Sequence, residues 1–139
     1  MILVDTNVLS EPLKERGDPR VVVWLDRQQR QTLFISTISV AEILFGIGAL
    51  PAGKRRNRLA EVFESEIARL FAGRLLSFDL DARPRIRLAH DGARAKGHSI
   101  SIADGEIAAI AAAHRFSVAT RDEAPFRAAG LETVNPWTE

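Results

Sequence analysis

The chain has 139 residues, 46% of them hydrophobic, and a formal net charge of +1. That fits one domain, residues 1–139, with a core large enough to stand without staples. It contains no cysteine, which excludes disulfides and thiolate metal sites and makes a reducing cytoplasm the expected compartment. No segment approaches the roughly 20 apolar residues of a membrane span, and the run Met1-Ile2-Leu3-Val4 is far too short for a signal peptide, so a soluble protein with no membrane association is expected.

Ile2 to Val4 reads as a buried strand, and Asp5 ends it. Thr6 to Ser10 reads as a short helix stopped near Pro12. Pro19 suits the first turn of the next helix, which runs to about Gln29. Thr32 to Ser36 is a second strand. Val40 to Leu50 has an apolar helical pattern that closes at Gly48 and Pro51. Lys54 to Phe71 is a longer amphipathic helix, with Leu59, Val62, Phe63, Ile67 and Leu70 at helical spacing and Gly73 as its cap. Leu75 to Phe78 is a third strand. Asp81 and Pro84 open a helix that ends near Gly97. Ile102 to His114 is Ala-rich, with Ile107, Ala108, Ile110 and Ala111 on one face. Ser117 to Thr120 is a fourth strand, and Glu132 to Val134 a fifth. Strands alternating with helices predict an α/β fold: a central parallel sheet of four or five strands, covered by helices on both faces, with right-handed crossovers.

Four acids stand at the junctions of these elements. Asp5 and Asp122 sit just past the first and fourth strands. Glu42 lies in the first turn after the second strand, and Asp104 in the first turn of the helix that leads into the fourth. Each has a local explanation. Asp5 and Asp122 suit N-caps, Ser39-Val40-Ala41-Glu42 has the form of a capping box with Ser39 as cap, and Ser101-Ile102-Ala103-Asp104 nearly repeats it. With the first strand central and the fourth beside it, however, all four acids reach one crevice at the carboxyl edge of the sheet, where such folds bind ligands.

The cost of that meeting is informative. Two carboxylates about 4 Å apart repel by about 1 kcal/mol in water and about 4 kcal/mol at an effective dielectric near 20. A helix N-terminus offsets typically under about 1 kcal/mol. Four together call for protonation or a divalent cation, and oxygen-only ligands favour Mg²⁺ or Mn²⁺. Such an ion activates water and stabilises charge on a phosphate. Glu42, set among apolar neighbours in Val40-Ala41-Glu42-Ile43-Leu44-Phe45, is either a partly buried site or an exposed gap in the pattern. Arginine far outnumbers lysine and clusters at Lys54-Arg55-Arg56-Asn57-Arg58, at Arg83, Arg85 and Arg87, and at Arg94 with Lys96. Its planar fork suits phosphate, although Glu61, Glu64 and Glu66 are equally placed to pair with it on a solvated face.

Other signals fail. Gly48-Ala49-Leu50-Pro51-Ala52-Gly53-Lys54 matches most of a P-loop, but Arg55 stands where Ser or Thr must hold magnesium, and a helix precedes it. No dinucleotide fingerprint and no G-x-S-x-G elbow is present. His90, His98 and His114 are spaced unlike any zinc motif.

Val4-Asp5-Thr6-Asn7-Val8-Leu9 resembles the opening of PIN-domain proteins. Ser39-Val40-Ala41-Glu42 with Gly46 is similar to their second acidic motif. Ile102-Ala103-Asp104 with Ile107-Ala108-Ala109 is similar to the third, and Ala119-Thr120-Arg121-Asp122 to the fourth. Leu70-Phe71-Ala72-Gly73-Arg74, Phe78-Asp79 and Asn135-Pro136-Trp137 look most like the FitB branch of the VapC-type toxins. The resemblance implies a three-layer α/β/α PIN-like domain and a Mg²⁺- or Mn²⁺-dependent endoribonuclease. It also implies the toxin half of a type II toxin–antitoxin pair, a homodimer, and a ribbon-helix-helix antitoxin that links it to operator DNA. Carried over by position, Asp5, Glu42, Asp104 and Asp122 become catalytic metal ligands. Thr6, Asn7 and Thr120 would position carboxylates or phosphate, and Arg121 with one of the arginine clusters would hold the backbone of the RNA substrate. Glu123 is an alternative to Asp122, because many relatives carry that acid further on, where this chain has Ala124-Pro125-Phe126. Pro84 departs from an Ala-rich helix and implies a shifted helix start. Two roles follow: nuclease, or a FitB-like partner that tightens operator binding by the antitoxin. A receiver-type domain would need a late lysine, and none follows Lys96.

Overall fold

The structure, a computed structural model, describes residues 1–139. Strand β1 (Ile2–Val4) lies at the middle of a five-stranded sheet with β2 (Leu33–Ser36), β3 (Leu75–Leu76), β4 (Ser117–Ala119) and β5 (Thr133–Val134). The order is β3-β2-β1-β4-β5 and every pairing is parallel. Leu3 sits opposite Phe34 and Val118, and Val4 opposite Ile35 and Ala119.

Because side chains alternate along a strand, these two rows face opposite ways. Leu3 and Val118 pack with Ala89, Ile107, Ile110 and Phe126 in one core. Val4, Ile35 and Ala119 pack with Val8, Val21, Trp24 and Trp137 in another. A central strand buried on both faces explains why β1 reads as a continuous apolar run.

Seven α-helices cover the sheet: α1 (Thr6–Ser10), α2 (Pro19–Arg27), α3 (Thr37–Gly48), α4 (Lys54–Leu70), α5 (Arg83–Ala95), α6 (Ile102–His114) and α7 (Glu123–Ala128). A 3₁₀ turn, Glu11–Leu13, follows α1. Helix α6 is the most deeply placed, with every residue from Ile107 to Ala111 buried. Its alanines allow close approach to β1 and β4, and α5 packs along it. Phe63 of α4 closes a third, smaller cluster against Ile43 and Ile47 of α3. No helix is long and apolar enough to cross a membrane.

Several expectations shift. Helix α3 begins at Thr37, three residues early, because its N-cap is Ser36, whose hydroxyl accepts from the Ser39 amide at 2.9 Å. Ser39 is therefore not the cap, and Glu42 lies in the second helical turn. Strand β3 ends at Leu76 because Asp79 turns the chain, accepting from the amides of Asp81 and Ala82. Phe71, not Gly73, is the C-cap of α4. Pro84 sits in the first turn of α5, where its missing amide costs nothing.

Candidate active site

All strands run the same way, so their carboxyl ends share one edge; Asp5 and Thr120 follow β1 and β4 there, and Ser36 ends β2. Asp5 is the N-cap of α1 and is 3% exposed. Three donors hold it. Oδ1 accepts from the Thr6 amide at 2.7 Å, and Oδ2 accepts from Asn7 Nδ2 and Thr120 Oγ1, each at 2.7 Å. Asn7 Nδ2 also reaches Thr120 Oγ1, and Asn7 Oδ1 accepts from the Arg121 amide. The loops after β1 and β4 are thereby tied across the middle of the sheet.

Glu42 comes from α3 and is exposed, which selects the second of its two readings in the sequence. It is not solitary, however, because Thr6 Oγ1 donates to its Oε2 at 2.6 Å. Thr6 thus binds two acids at once, Asp5 through its amide and Glu42 through its hydroxyl. Asp104 is half-buried in the first turn of α6, whose cap Ser101 accepts from the Asp104 amide. Asp122 occupies the N-cap position of α7, yet its side chain caps nothing. Its amide donates to Thr120 Oγ1.

Electrostatics place the four acids in a common field. Burial pushes the Asp5 carboxyl up to about 6, against the bonds from Thr120 and Thr6, and the charges of Asp104 and Glu42 raise it further. Burial also raises Asp104, against its Ser101 bond, with Glu42 and Asp122 adding to the rise. None of the four acids has an ion-pair partner, whereas Glu123 is paired with Arg127 and also accepts from Thr133 Oγ1. Asp122, and not Glu123, is among the charges that raise Asp104.

The side chains as placed form no ready-made set of three ligands around a point. Their chemistry nevertheless suits a hard divalent cation: oxygen donors only, unneutralised, with one carboxyl already strained by burial. Of the residues read as substrate contacts, Thr6, Asn7 and Thr120 spend their polar groups on carboxylates. Arg121 is exposed, with its guanidinium 5.4 Å from the centre of the Trp137 ring. Ser36 and Ser39, fully buried beside Thr6, belong to the same network. The spacing Ser36-x-x-Ser39-x-x-Glu42, one residue per turn on one helix face, was the available signal for them.

An edge of aligned strand ends, bearing acids without counter-ions, defines an α/β protein with a candidate phosphate-processing cleft. The PIN-domain family profile matches residues 2–131, and the chain belongs to that family. It is 50% identical over 137 residues to VapC ribonuclease Y4jK of Sinorhizobium fredii, covering 99% of this chain and 98% of that one. It is 44% identical to toxin FitB of Neisseria gonorrhoeae, covering 99% of each chain. The crystal structure of FitAcB from N. gonorrhoeae superposes with a TM-score of 0.94, covering all of both chains. A structure of FitAB bound to an IR36 DNA fragment superposes at 0.92, covering 99% of this chain and 96% of that one.

Proposed function

We propose that this chain is the toxin of a type II toxin–antitoxin pair and acts as an endoribonuclease at the acidic cleft. One observation carries the reading: Asp5, Glu42, Asp104 and Asp122, from four separate segments, share a field with no basic side chain to neutralise it. The name of the relative at 50% identity supports RNA as the substrate class. Asp5, Glu42, Asp104 and Asp122 would hold Mg²⁺ or Mn²⁺, which when bound supplies an activated water and charge stabilisation at phosphorus.

The chain's own residues do the rest. Thr6, Asn7 and Thr120 fix the Asp5 carboxylate in one orientation. Glu42 commits one oxygen to Thr6, leaving the other to accept from the attacking water. Arg121, backed by Trp137, supplies a cation for the RNA backbone, which an acidic cleft cannot otherwise attract.

The antitoxin partner belongs to the same proposal. A groove of about 440 Å³ between α2, the 3₁₀ turn and α4 is lined by Leu9, Leu13, Leu25, Phe63, Ile67 and Leu70. It suits an apolar segment of a ribbon-helix-helix partner, and the FitAcB and FitAB structures at 44% identity support an antitoxin as the kind of partner. The exposed side chains of Phe45, Leu80, Leu88 and Ile102 offer apolar surface for a homodimer. Operator binding through the partner is a second role of the same chain, favoured by the DNA-bound FitAB relative.

The test separates the two roles. Asp5→Asn or Asp104→Asn should cut Mn²⁺-dependent RNA cleavage by about a hundredfold or more, the upper end of what even outer-shell losses cost, while leaving an antitoxin–operator gel shift unchanged. Wild-type cleavage in either variant would overturn the nuclease assignment.

A further inference from the structure

We infer that Ser36 and Ser39 are positioning residues for the Glu42 carboxylate, acting through Thr6 in a chain of three hydroxyls that runs from the buried serines to the surface. This rests on the nuclease reading and adds to it residues outside the acidic set.

The distances form a continuous path. Ser36 Oγ lies 3.1 Å from Ser39 Oγ, which lies 3.0 Å from Thr6 Oγ1, which lies 2.6 Å from Glu42 Oε2. Both serines are 0% exposed. The direction of the protons follows from counting them. Each hydroxyl has one proton to give. Thr6 makes its shortest contact with a carboxylate, which only accepts, so its proton goes there. Thr6 must then accept from Ser39, and Ser39 must accept from Ser36. Ser36 is free to give its proton because its own oxygen already accepts from the Ser39 amide. Turning the Thr6 proton toward Ser39 would place an oxygen lone pair against the carboxylate at 2.6 Å, and turning the Ser39 proton toward Ser36 would leave the contact with Thr6 without a proton.

A structural duty accounts for Ser36, which caps α3, but not for Ser39. Alanine would fill position 39 and continue the helix. A hydroxyl buried there costs desolvation unless both of its bonds are made, and both are made only by joining Ser36 to Thr6. Hydroxyls in series polarise one another, so the last bond, to Glu42, is the one strengthened. The result is an exposed acid on a helix surface held in one rotamer by a network anchored beneath it. Without the chain, Glu42 would be a mobile surface side chain, free to relax away from Asp5 and Asp104 under their repulsion.

The experiment is a double-mutant cycle on the full chain, with a labelled random-sequence RNA and Mn²⁺. Ser39→Ala retains the Ser36 cap and should keep the wild-type melting temperature to within a few degrees. Its kcat should fall about tenfold, the lower end of the cost of losing an outer-shell partner, with KM changed less than twofold. Thr6→Val should show the same loss and Thr6→Ser should restore it. In a Glu42→Ala background, Ser39→Ala should cost nothing further. Mn²⁺ affinity of the RNA-free chain, read by titration calorimetry, should follow the same cycle. Losses of equal size with and without the Glu42 carboxylate would overturn the positioning role. Wild-type kcat in Glu42→Ala would overturn the assignment of the site itself, and in Ser39→Ala the chain alone.

Discussion

A carboxylate that accepts three hydrogen bonds is ordinarily held low, yet burial pushes Asp5 up to about 6. In the unfolded chain it returns to near 3.8, so between these values the folded state binds the extra proton. The contribution to stability is therefore largest below the unfolded value and is lost as pH rises through about 6. A gap of about two units corresponds to roughly 3 kcal/mol once the group is ionised, and Asp104 shifts the same way. In chelator the melting temperature should fall as pH rises from about 4 to a little above 6, the interval between the unfolded and folded values of Asp5. Mn²⁺ should remove most of that fall, because a bound cation favours the ionised carboxylates. A melting curve indifferent to Mn²⁺ at neutral pH would argue that the cleft takes no ion. Of these features, the acids were legible in the sequence because a carboxylate after an apolar strand is conspicuous. Thr6, Asn7 and Thr120 were legible too, through the motifs they stand in, but which acid each one holds was not. Thr6 touches Glu42 across 36 positions and Thr120 touches Asp5 across 115, and nothing local in the chain marks such pairings.

At the scale of elements, legibility followed burial and caps. Helix α6 was bounded correctly at Ile102 and His114 because Ser101 marks its start and its apolar run is unbroken. The sequence pattern starts helix α3 late because Ser36 has two jobs: it is the last residue of β2 and the cap of α3, with no loop between them. A reader of the sequence sees a strand residue, and the Ser39–Glu42 pair then offers a more familiar signature. The sequence makes strand β3 too long because Phe78 looks like a strand residue; it packs into the core outside the ladder, just before the Asp79 turn. One element end carries a local cost. Arg115 closes α6 with φ 59°, the left-handed region, and is exposed. Arg115→Gly should stabilise the fold by about 0.5–1 kcal/mol, since the Cβ penalty there outweighs the greater freedom of glycine when unfolded. Denaturant melts would check it, and a loss of stability would mean that the arginine side chain is engaged.

At the scale of the whole molecule, the acidic cleft and the apolar groove are built on different parts of the fold. The cleft follows the carboxyl edge of the sheet, while the groove lies between α2 and α4. Catalysis and partner binding should therefore be separable by substitution. Val22→Glu, at an exposed groove position, should weaken antitoxin binding by about tenfold or more, the cost of about 1.4 kcal/mol at a contact surface. RNA cleavage by the free chain should stay unchanged. Equal affinity for the antitoxin by calorimetry would place the partner elsewhere.

The strand order also sets when the protein becomes active during its synthesis. β1 leaves the ribosome first, but one of its two neighbours is β4, more than a hundred residues later. A nascent chain that has reached the end of α6 already carries Asp5, Glu42 and Asp104. It still lacks the strand that completes the central pairing and the Thr120 hydroxyl that steadies Asp5. With this topology the acidic edge is complete only once the segment from Ser117 onward has been made, so cleavage at that edge should be absent from the nascent chain.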